Sequence, residues 1–73
     1  MMKTSFEMAL AALKSGKIIT REAWKHKKFL RLHPFAGTES IWMVEPKKRN
    51  TTWTRVERLK IEDIMAEDWM VVE

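Results

Sequence analysis

The segment from Thr4 to Trp24 constrains the fold most, because it specifies a helix together with both of its ends. Thr4 is a favourable N-cap, and Glu7 three residues later predicts a capping box. Lys14 suits the negative end of the helix dipole, and Gly16 supplies a left-handed stop. Apolar residues at helical spacing form one stripe between these ends: Phe6, Ala9, Leu10 and Leu13. A helix of about three turns is marginal alone in water, so this stripe must pack on a surface that the remaining chain supplies.

The remaining chain alternates short β-rich runs with turns, which predicts a small antiparallel sheet. Strands are expected at 17–20, 29–33, 40–45, 51–56 and 69–72, with a basic–aromatic corner at 21–24 and helical turns within 59–65. Pro34 is expected to end the second strand, and Gly37 to lie in the turn that follows it. The last strand is expected to pair near the first. The fold class is therefore α+β in a single domain, 1–73, with one N-terminal amphipathic helix packed on the sheet.

The chain is small and lacks cysteine, which limits what can stabilise it. A single core in a chain of 73 residues rarely provides more than ~3–5 kcal/mol of net stability. Without cysteine there are no disulfides and no thiolate metal ligands. Four tryptophans and six methionines are a large apolar load for this length, so some of that surface is expected between subunits or under a ligand. We therefore expect a homodimer or a homotetramer.

The charge distribution indicates an anionic partner. The formal net charge is +4, with basic residues concentrated in 17–31 and 47–60 and acidic residues in 62–73. Such a pattern favours nucleic acid, nucleotides or other phosphates, although charge runs are more often solvated faces. No apolar run approaches the ~20 residues of a membrane span. We expect a soluble, cytoplasmic protein that does not bind membranes.

The sequence offers little for catalysis. The two histidines, His26 and His33, have no carboxylate nearby at metal-ligand spacing. The two glycines do not form a phosphate-binding loop. No nucleophile, base and orienting residue can be placed together. We therefore expect a protein that is not an enzyme, with no catalytic residues, no metal site and no cofactor.

Tryptophan and arginine occur as two close pairs, which suits capture of a nucleotide. Arg21 precedes Trp24 by three residues, and Arg55 follows Trp53 by two, on one face of a strand. Stacking of a base on an aromatic ring contributes ~1–3 kcal/mol, and arginine is the preferred bidentate ligand of phosphate. Carboxylates in the acidic tail offer acceptors for ribose hydroxyls or exocyclic amines. The candidate ligand-binding residues are Trp24, Trp53, Arg21, Arg55, Asp63 and Asp68.

Several of these residues, and the other two tryptophans, also have a purely structural interpretation. Trp24 is as suited to a core as to a binding platform, and Trp42, within an apolar strand, is expected in the core. Trp69 is expected to pack against the first helix. Arg21 can pair with a carboxylate next to it or in the tail, and Asp63 can stabilise a helix N-terminus. Trp53, between threonines and beside an arginine, has the best claim to a partly open ring face.

Two segments together resemble a known family. One is Phe6-x-x-Ala9-Leu10-x-x-Leu13-Lys14-x-Gly16-Lys17 followed by Arg21-x-x-Trp24, and the other is Trp53 followed by Asp63-Ile64-x-Ala66-Glu67-Asp68-Trp69. Both segments resemble, in the same order, the small phage and prophage proteins of the second Thoeris anti-defence family. Each segment alone is weak, and the pair is fairly specific.

The resemblance implies a sponge, a protein that binds cyclic ADP-ribose-type immune signals or cyclic dinucleotides without cleaving them. It also implies tetramers built from dimers, with ligand pockets between protomers that the counterparts of Trp24 and Trp53 line. Two other functions fit the residues: binding of single-stranded nucleic acid through basic loops with interleaved aromatics, and inhibition of a host protein through a patch of methionine and tryptophan.

Overall fold

The computed structural model of the chain describes residues 2–72 and has the expected α+β architecture. Its elements are α1 (Phe6–Lys14), β1 (Ile19–Arg21), a 3₁₀ turn (Glu22–Trp24), β2 (Phe29–Phe35), β3 (Thr38–Pro46), β4 (Thr51–Arg55), α2 (Ile61–Ile64) and β5 (Trp69–Val71). The expected helix and all five expected strands are present, with bounds that differ by a few residues. No helix in the described part of the chain has the length and apolar character to cross a membrane.

The five strands form one antiparallel sheet in the order β4-β3-β2-β1-β5. The last strand lies beside the first, as expected, with Ile19 opposite Val71 and Arg21 opposite Trp69. This pairing brings the C-terminal strand next to the N-terminal half of the chain.

The helix begins one residue later than the sequence indicates. Ser5, and not Thr4, is the N-cap, and its Oγ accepts a long hydrogen bond from the Met8 N–H at 3.4 Å. Thr4 is unavailable because its backbone pairs with Trp69, with N···O distances of 2.8 and 3.1 Å. The predicted capping box at Thr4 is therefore wrong, since an isolated β-bridge to β5 fixes that residue.

The predicted stop at the other end of α1 is confirmed. Gly16 has a φ of +98° and donates its N–H to Leu13 O, while the Lys17 N–H bonds to Ala12 O. These two bonds form a Schellman motif, in which a residue without a Cβ takes the left-handed position. Because Lys17 closes the helix in this way, β1 begins at Ile19 and not at Lys17.

The hairpin of β2 and β3 is the longest element of the sheet. Its turn residues Ala36 and Gly37 have φ values of +54° and +81°, as a tight two-residue hairpin turn requires. The prediction that Pro34 ends β2 is wrong, because Pro34 lies within the strand opposite Glu39. A proline is tolerated there because β1 pairs with β2 only at Leu30, so the other side of Pro34 meets no strand.

One face of the sheet, here called the inner face, carries the core. Ala9 and Leu13 from α1 pack with Ile19, Leu30 and Trp69, and all five are fully buried. The Trp69 ring lies 5.3 Å from the Phe6 ring, which confirms the expected packing of this tryptophan against α1. The apolar stripe of α1 therefore covers the strands β1, β2 and β5.

Alternate residues of β2, β3 and β4 point away from α1 and form the opposite surface, here called the outer face. It includes Phe29, Arg31, His33, Phe35, Trp42, Val44, Trp53 and Arg55, as the strand register places them together. The prediction that Trp42 belongs to the core is wrong. Ile41 and Met43 take the inner positions of β3, so the alternation of the strand directs Trp42 outward.

Candidate functional site

The outer face carries a continuous group of aromatic rings. Trp42 lies at its centre, with its ring centroid 5.8 Å from that of Phe35 and 6.1 Å from that of Trp53. His33 meets Trp53 edge-on at 5.7 Å. Tilted and edge-on contacts at such distances are the favoured geometry for aromatic pairs. The Trp53 ring is therefore held by its neighbours while 42% of the residue stays exposed.

Two arginines lie over these rings. The Arg31 guanidinium carbon is 5.4 Å from the centroid of Trp53, and that of Arg55 is 4.4 Å from the centroid of Phe35. Both distances fall within the range of a cation–π interaction. Trp53 and Arg55 share one face, as the strand spacing predicts, but the Arg55 cation stacks on Phe35. The outer face thus combines flat rings with positive charge.

A cavity of about 190 Å³ opens beside Arg31 on the same face. Among residues 2–72, Arg31 is the charged residue that lines it, and its other walls are the apolar side chains of Ile18, Phe29, Val44 and Val72. The Nε of Arg31 is buried and has no hydrogen-bond partner among the described residues. Buried donors are nearly always paired, so this N–H is a candidate to bind an acceptor that the described residues do not supply.

The remaining candidate residues lie on the other side of the molecule and are joined in an ion-pair cluster, here called the Arg21 network. Arg21 Nη1 donates to Asp63 Oδ1 at 2.7 Å, and Arg21 Nε donates to Asp68 Oδ1 at 2.8 Å. Asp68 Oδ2 accepts from the Ala23 N–H at 3.0 Å. The network therefore ties β1 and the 3₁₀ turn to α2 and to the start of β5.

Within the Arg21 network, the contact between Arg21 and Asp68 stabilises the charged forms of these two groups. The hydrogen bond from Arg21 lowers the pKa of Asp68 below its ordinary value, and the backbone N–H of Ala23 lowers it further. The same contact with Asp68 raises the pKa of Arg21. The sequence allowed Arg21 to be either a ligand contact or a partner of a tail carboxylate, and in the structure it pairs with two carboxylates.

Trp24 lies next to this network and is partly buried. Its ring meets Trp69 edge-on at 5.2 Å, and the Lys28 Nζ lies 4.9 Å from its centroid. Trp69 in turn donates its indole N–H to Asp63 O at 2.8 Å. Trp24 thus packs on the edge of the core. Its ring still reaches the surface, where the Lys28 ammonium group lies over it.

The structure therefore brings the predicted residues together as two separate groups. Trp24 and the Arg21 network lie on the side of the inner face, whereas Trp53 and Arg55 lie on the outer face. Within one protomer the two tryptophans do not face one another. A ligand that contacts both of them would have to lie between two copies of the chain.

Four outer-face residues of β2 were not predicted as site residues: Phe29, Arg31, His33 and Phe35. They lie at alternate positions of β2, so the period-two pattern of that strand was the signal that could have identified them. No cluster of three or more histidine, aspartate or glutamate side chains that could hold a metal occurs within residues 2–72.

Comparison with known proteins identifies the family of the chain. No curated protein matches the chain at a significant level. The model of the Thoeris anti-defense 2-like domain, the Tad2-like family, matches residues 4–72. This match spans nearly the whole chain, including both segments that carry the resemblance noted in the sequence. The chain thus belongs to the Thoeris anti-defense 2-like family, and its role is in anti-defense against Thoeris.

Proposed function

We propose that this protein is a non-enzymatic sponge that binds a cyclic nucleotide immune signal and keeps it from its receptor. The signal would be a cyclic ADP-ribose isomer or a cyclic dinucleotide, held in the bacterial cytoplasm without cleavage of any bond. Family membership supports the anti-defense role, and the chemistry of the outer face supports the class of ligand.

The observation that carries the proposal is the partly open ring of Trp53 with an arginine beside it. A nucleotide signal offers flat bases and phosphates, and the outer face offers a ring for stacking together with the guanidinium groups of Arg31 and Arg55. Stacking on such a ring contributes ~1–3 kcal/mol per base. Charge-assisted contacts to phosphate contribute further and fix the orientation of the ligand.

Self-association completes the proposed site. Trp24 and Trp53 lie on different sides of one protomer, so a pocket that uses both needs a second copy of the chain, in a homodimer or homotetramer. The exposed aromatic outer face of so small a protein fits such an assembly, because large exposed apolar patches mark interaction surfaces. In that pocket the Arg21 network would fix the position of Trp24, and the carboxylates of Asp63 and Asp68 would offer their remaining acceptor sites to the sugar.

Isothermal titration against a panel of cyclic ADP-ribose isomers and cyclic dinucleotides tests this function. We expect at least one member to bind, and chromatography of the released ligand to return it unchanged. Light scattering after size-exclusion chromatography is expected to show a dimer or a tetramer. Absence of binding by every member of the panel, with a folded protein, would contradict the proposal, as would a strict monomer.

The matched variants for this test are Trp53→Ala and Trp53→Phe. Trp53→Ala removes an exposed ring and is expected to weaken binding, whereas Trp53→Phe keeps a stacking surface and is expected to retain most of it. Equal binding by the wild type and both variants would show that the Trp53 ring does not contact the ligand.

Single-stranded nucleic acid is the second candidate, because an open sheet face with rings and arginines also suits stacked bases. Ionic strength separates the two functions. Binding to a phosphate backbone weakens steeply between 50 and 200 mM salt, whereas capture of one small cyclic ligand weakens little. Oligonucleotide binding with a steep salt slope, together with no binding of cyclic nucleotides, would favour this second candidate.

A further inference from the structure

We propose that Arg31 and the cavity beside it form a subsite for a phosphate that carries a ring, with the phosphate on the guanidinium and the ring in the cavity. This inference rests on the proposed function, because it assigns one part of a nucleotide ligand to a specific place. It concerns residues outside the two arginine–tryptophan pairs that were predicted from the sequence as ligand-binding residues.

The first support is the unsatisfied donor. The Nε of Arg31 is buried and has no partner among the described residues. The ion pairs found within residues 2–72 involve Lys3, Arg21 and Arg55, and none of them includes Arg31. A neutral acceptor would satisfy only the hydrogen-bonding capacity of the Arg31 Nε–H. An oxyanion would accept that hydrogen bond and also neutralise the positive charge of the guanidinium.

The second support is the shape and lining of the cavity. Its apolar walls exclude a free phosphate as sole occupant, since a hydrated anion gains nothing from Ile18, Val44 or Val72. Phe29 offers aromatic surface to a flat ring. Its volume of about 190 Å³ lies below the ~300–1,000 Å³ of pockets for whole drug-sized ligands. It therefore matches one ring system with its attached group.

The third support is the position of Arg31 between two surfaces that suit rings. Its guanidinium lies over Trp53 on one side, and its side chain lines the cavity on the other. A phosphate on Arg31 would thus have a ring surface on each side. A ligand with two bases joined through phosphate could place one base on Trp53 and the other in the cavity.

The first experiment uses 5′-AMP as the probe and follows the Nε–Hε signals of the arginines by nuclear magnetic resonance. We expect the Arg31 signal to shift on addition of 5′-AMP, and to shift less with adenosine or inorganic phosphate alone, since each supplies only one half of the probe. The signal of Arg58, an exposed arginine outside the face, is expected not to move. No change of the Arg31 signal with 5′-AMP would overturn the proposal.

Two pairs of variants separate the contributions of charge and cavity. Arg31→Met removes the cation with little change in length, and its control Arg58→Met makes the same change of net charge at an exposed position. Loss of a charge-assisted hydrogen bond predicts about 10- to 100-fold weaker binding of 5′-AMP by Arg31→Met only. Equal losses in both variants would indicate attraction by net charge alone and would overturn the subsite.

The cavity is tested by filling it. Val72→Phe places a ring in the cavity from a residue just beyond β5, and Thr52→Phe adds the same ring at an exposed position of β4. We expect Val72→Phe to weaken binding of 5′-AMP at least 10-fold, because the new ring occupies the cavity and not because the protein loses stability. We expect Thr52→Phe to leave the binding unchanged. Unfolding temperatures of both variants exclude loss of the fold as the cause, and unchanged binding by a folded Val72→Phe would overturn the proposal.

The subsite and the proposed function fail in different ways. Binding of a cyclic nucleotide that Arg31→Met and Val72→Phe do not affect would leave the sponge function in place and remove the subsite. A shift of the Arg31 signal by 5′-AMP, without binding of any cyclic nucleotide from the panel, would support the subsite and contradict the sponge function. Contact between two copies at Arg31 in place of a ligand would appear as a concentration-dependent Arg31 signal without 5′-AMP, and would overturn the subsite.

Discussion

The two faces of the sheet contain similar residue types and use them differently. On the inner face Trp69 is fully buried, donates its indole N–H to Asp63 O and touches two other rings. On the outer face Trp53 also touches two rings but remains 42% exposed. The difference is the covering helix, because α1 covers the inner side of β1, β2 and β5, whereas the described chain places no helix on the outer face. Stability is therefore expected to depend mainly on the inner face, and stacking of a ligand on Trp53 is expected on the outer face.

Trp69→Ala is expected to have the largest effect on stability. Truncation of a buried tryptophan costs about 3–5 kcal/mol, which is as much as the ~3–5 kcal/mol that a core of this size supplies in total. The variant should therefore be largely unfolded at room temperature, as circular dichroism and urea titration would show. Trp53→Ala is its matched control, and similar losses of stability in both variants would disprove the division between the faces.

Asp63→Asn is expected to have the next largest effect. It leaves Arg21 with one carboxylate partner at a position where the two side chains are only 17% and 11% exposed. Loss of a charged partner there is expected to cost about 1–3 kcal/mol. Glu62→Gln on the same short helix changes the same charge at an exposed site, and a shift within about 0.5 kcal/mol is expected. Urea denaturation of both variants measures the difference, and equal shifts would show that the Arg21 network contributes nothing specific.

The Arg21 network should also make stability depend on pH, with a smaller effect than that of Asp63→Asn. Arg21 lowers the pKa of Asp68 in the folded state, so the stabilising contribution of this carboxylate is complete above the unfolded value of about 3.9. That contribution is lost as the pH falls from about 4 through the lower, folded pKa. Asp68→Asn should be less stable than wild type at neutral pH and should lose less stability on acidification, as urea titrations at several pH values would measure. An acid profile parallel to that of the wild type would contradict this assignment.

Trp53→Ala is expected to have the smallest effect on stability and a clear effect on binding. Loss of its contacts with other rings should cost about 1 kcal/mol or less. Loss of a stacked base worth ~1–3 kcal/mol predicts about 5- to 150-fold weaker binding of a cyclic nucleotide. Thermal unfolding and isothermal titration on the same preparation measure both effects. A large loss of stability without a change in affinity would reverse the roles of the two faces.

Local sequence patterns predicted the elements of this fold well where an element depends on the conformations of neighbouring residues. The stop at Gly16 and the turn at Gly37 follow from backbone conformations that residues without a Cβ adopt most easily. The alternation of β3 placed Ile41 and Met43 on one face and Trp42 on the other. The pattern did not say which face α1 covers, and Trp42 was therefore assigned to the core although it lies outside it.

Long-range pairing decided what local patterns could not. Thr4 and Ser5 are both good N-caps, and the bridge from Thr4 to Trp69 selected Ser5. Of the six predicted site residues, the structure joins Arg21, Asp63 and Asp68, although more than forty positions separate Arg21 from each aspartate. Such pairs depend on the contact of β1 with β5, which no short stretch of sequence specifies.

The sequence by itself determined the helix and its C-terminal stop, the α+β class and the family, because capping, periodicity and motif spacing are properties of neighbouring residues. Only the tertiary structure decided which aromatic residues stay open to a ligand, which arginines already have carboxylate partners, and that Arg31 has none within the described chain. The physical reason is that exposure and pairing depend on which face a helix covers and which strands become neighbours, and those contacts form only when distant segments of the chain pack together.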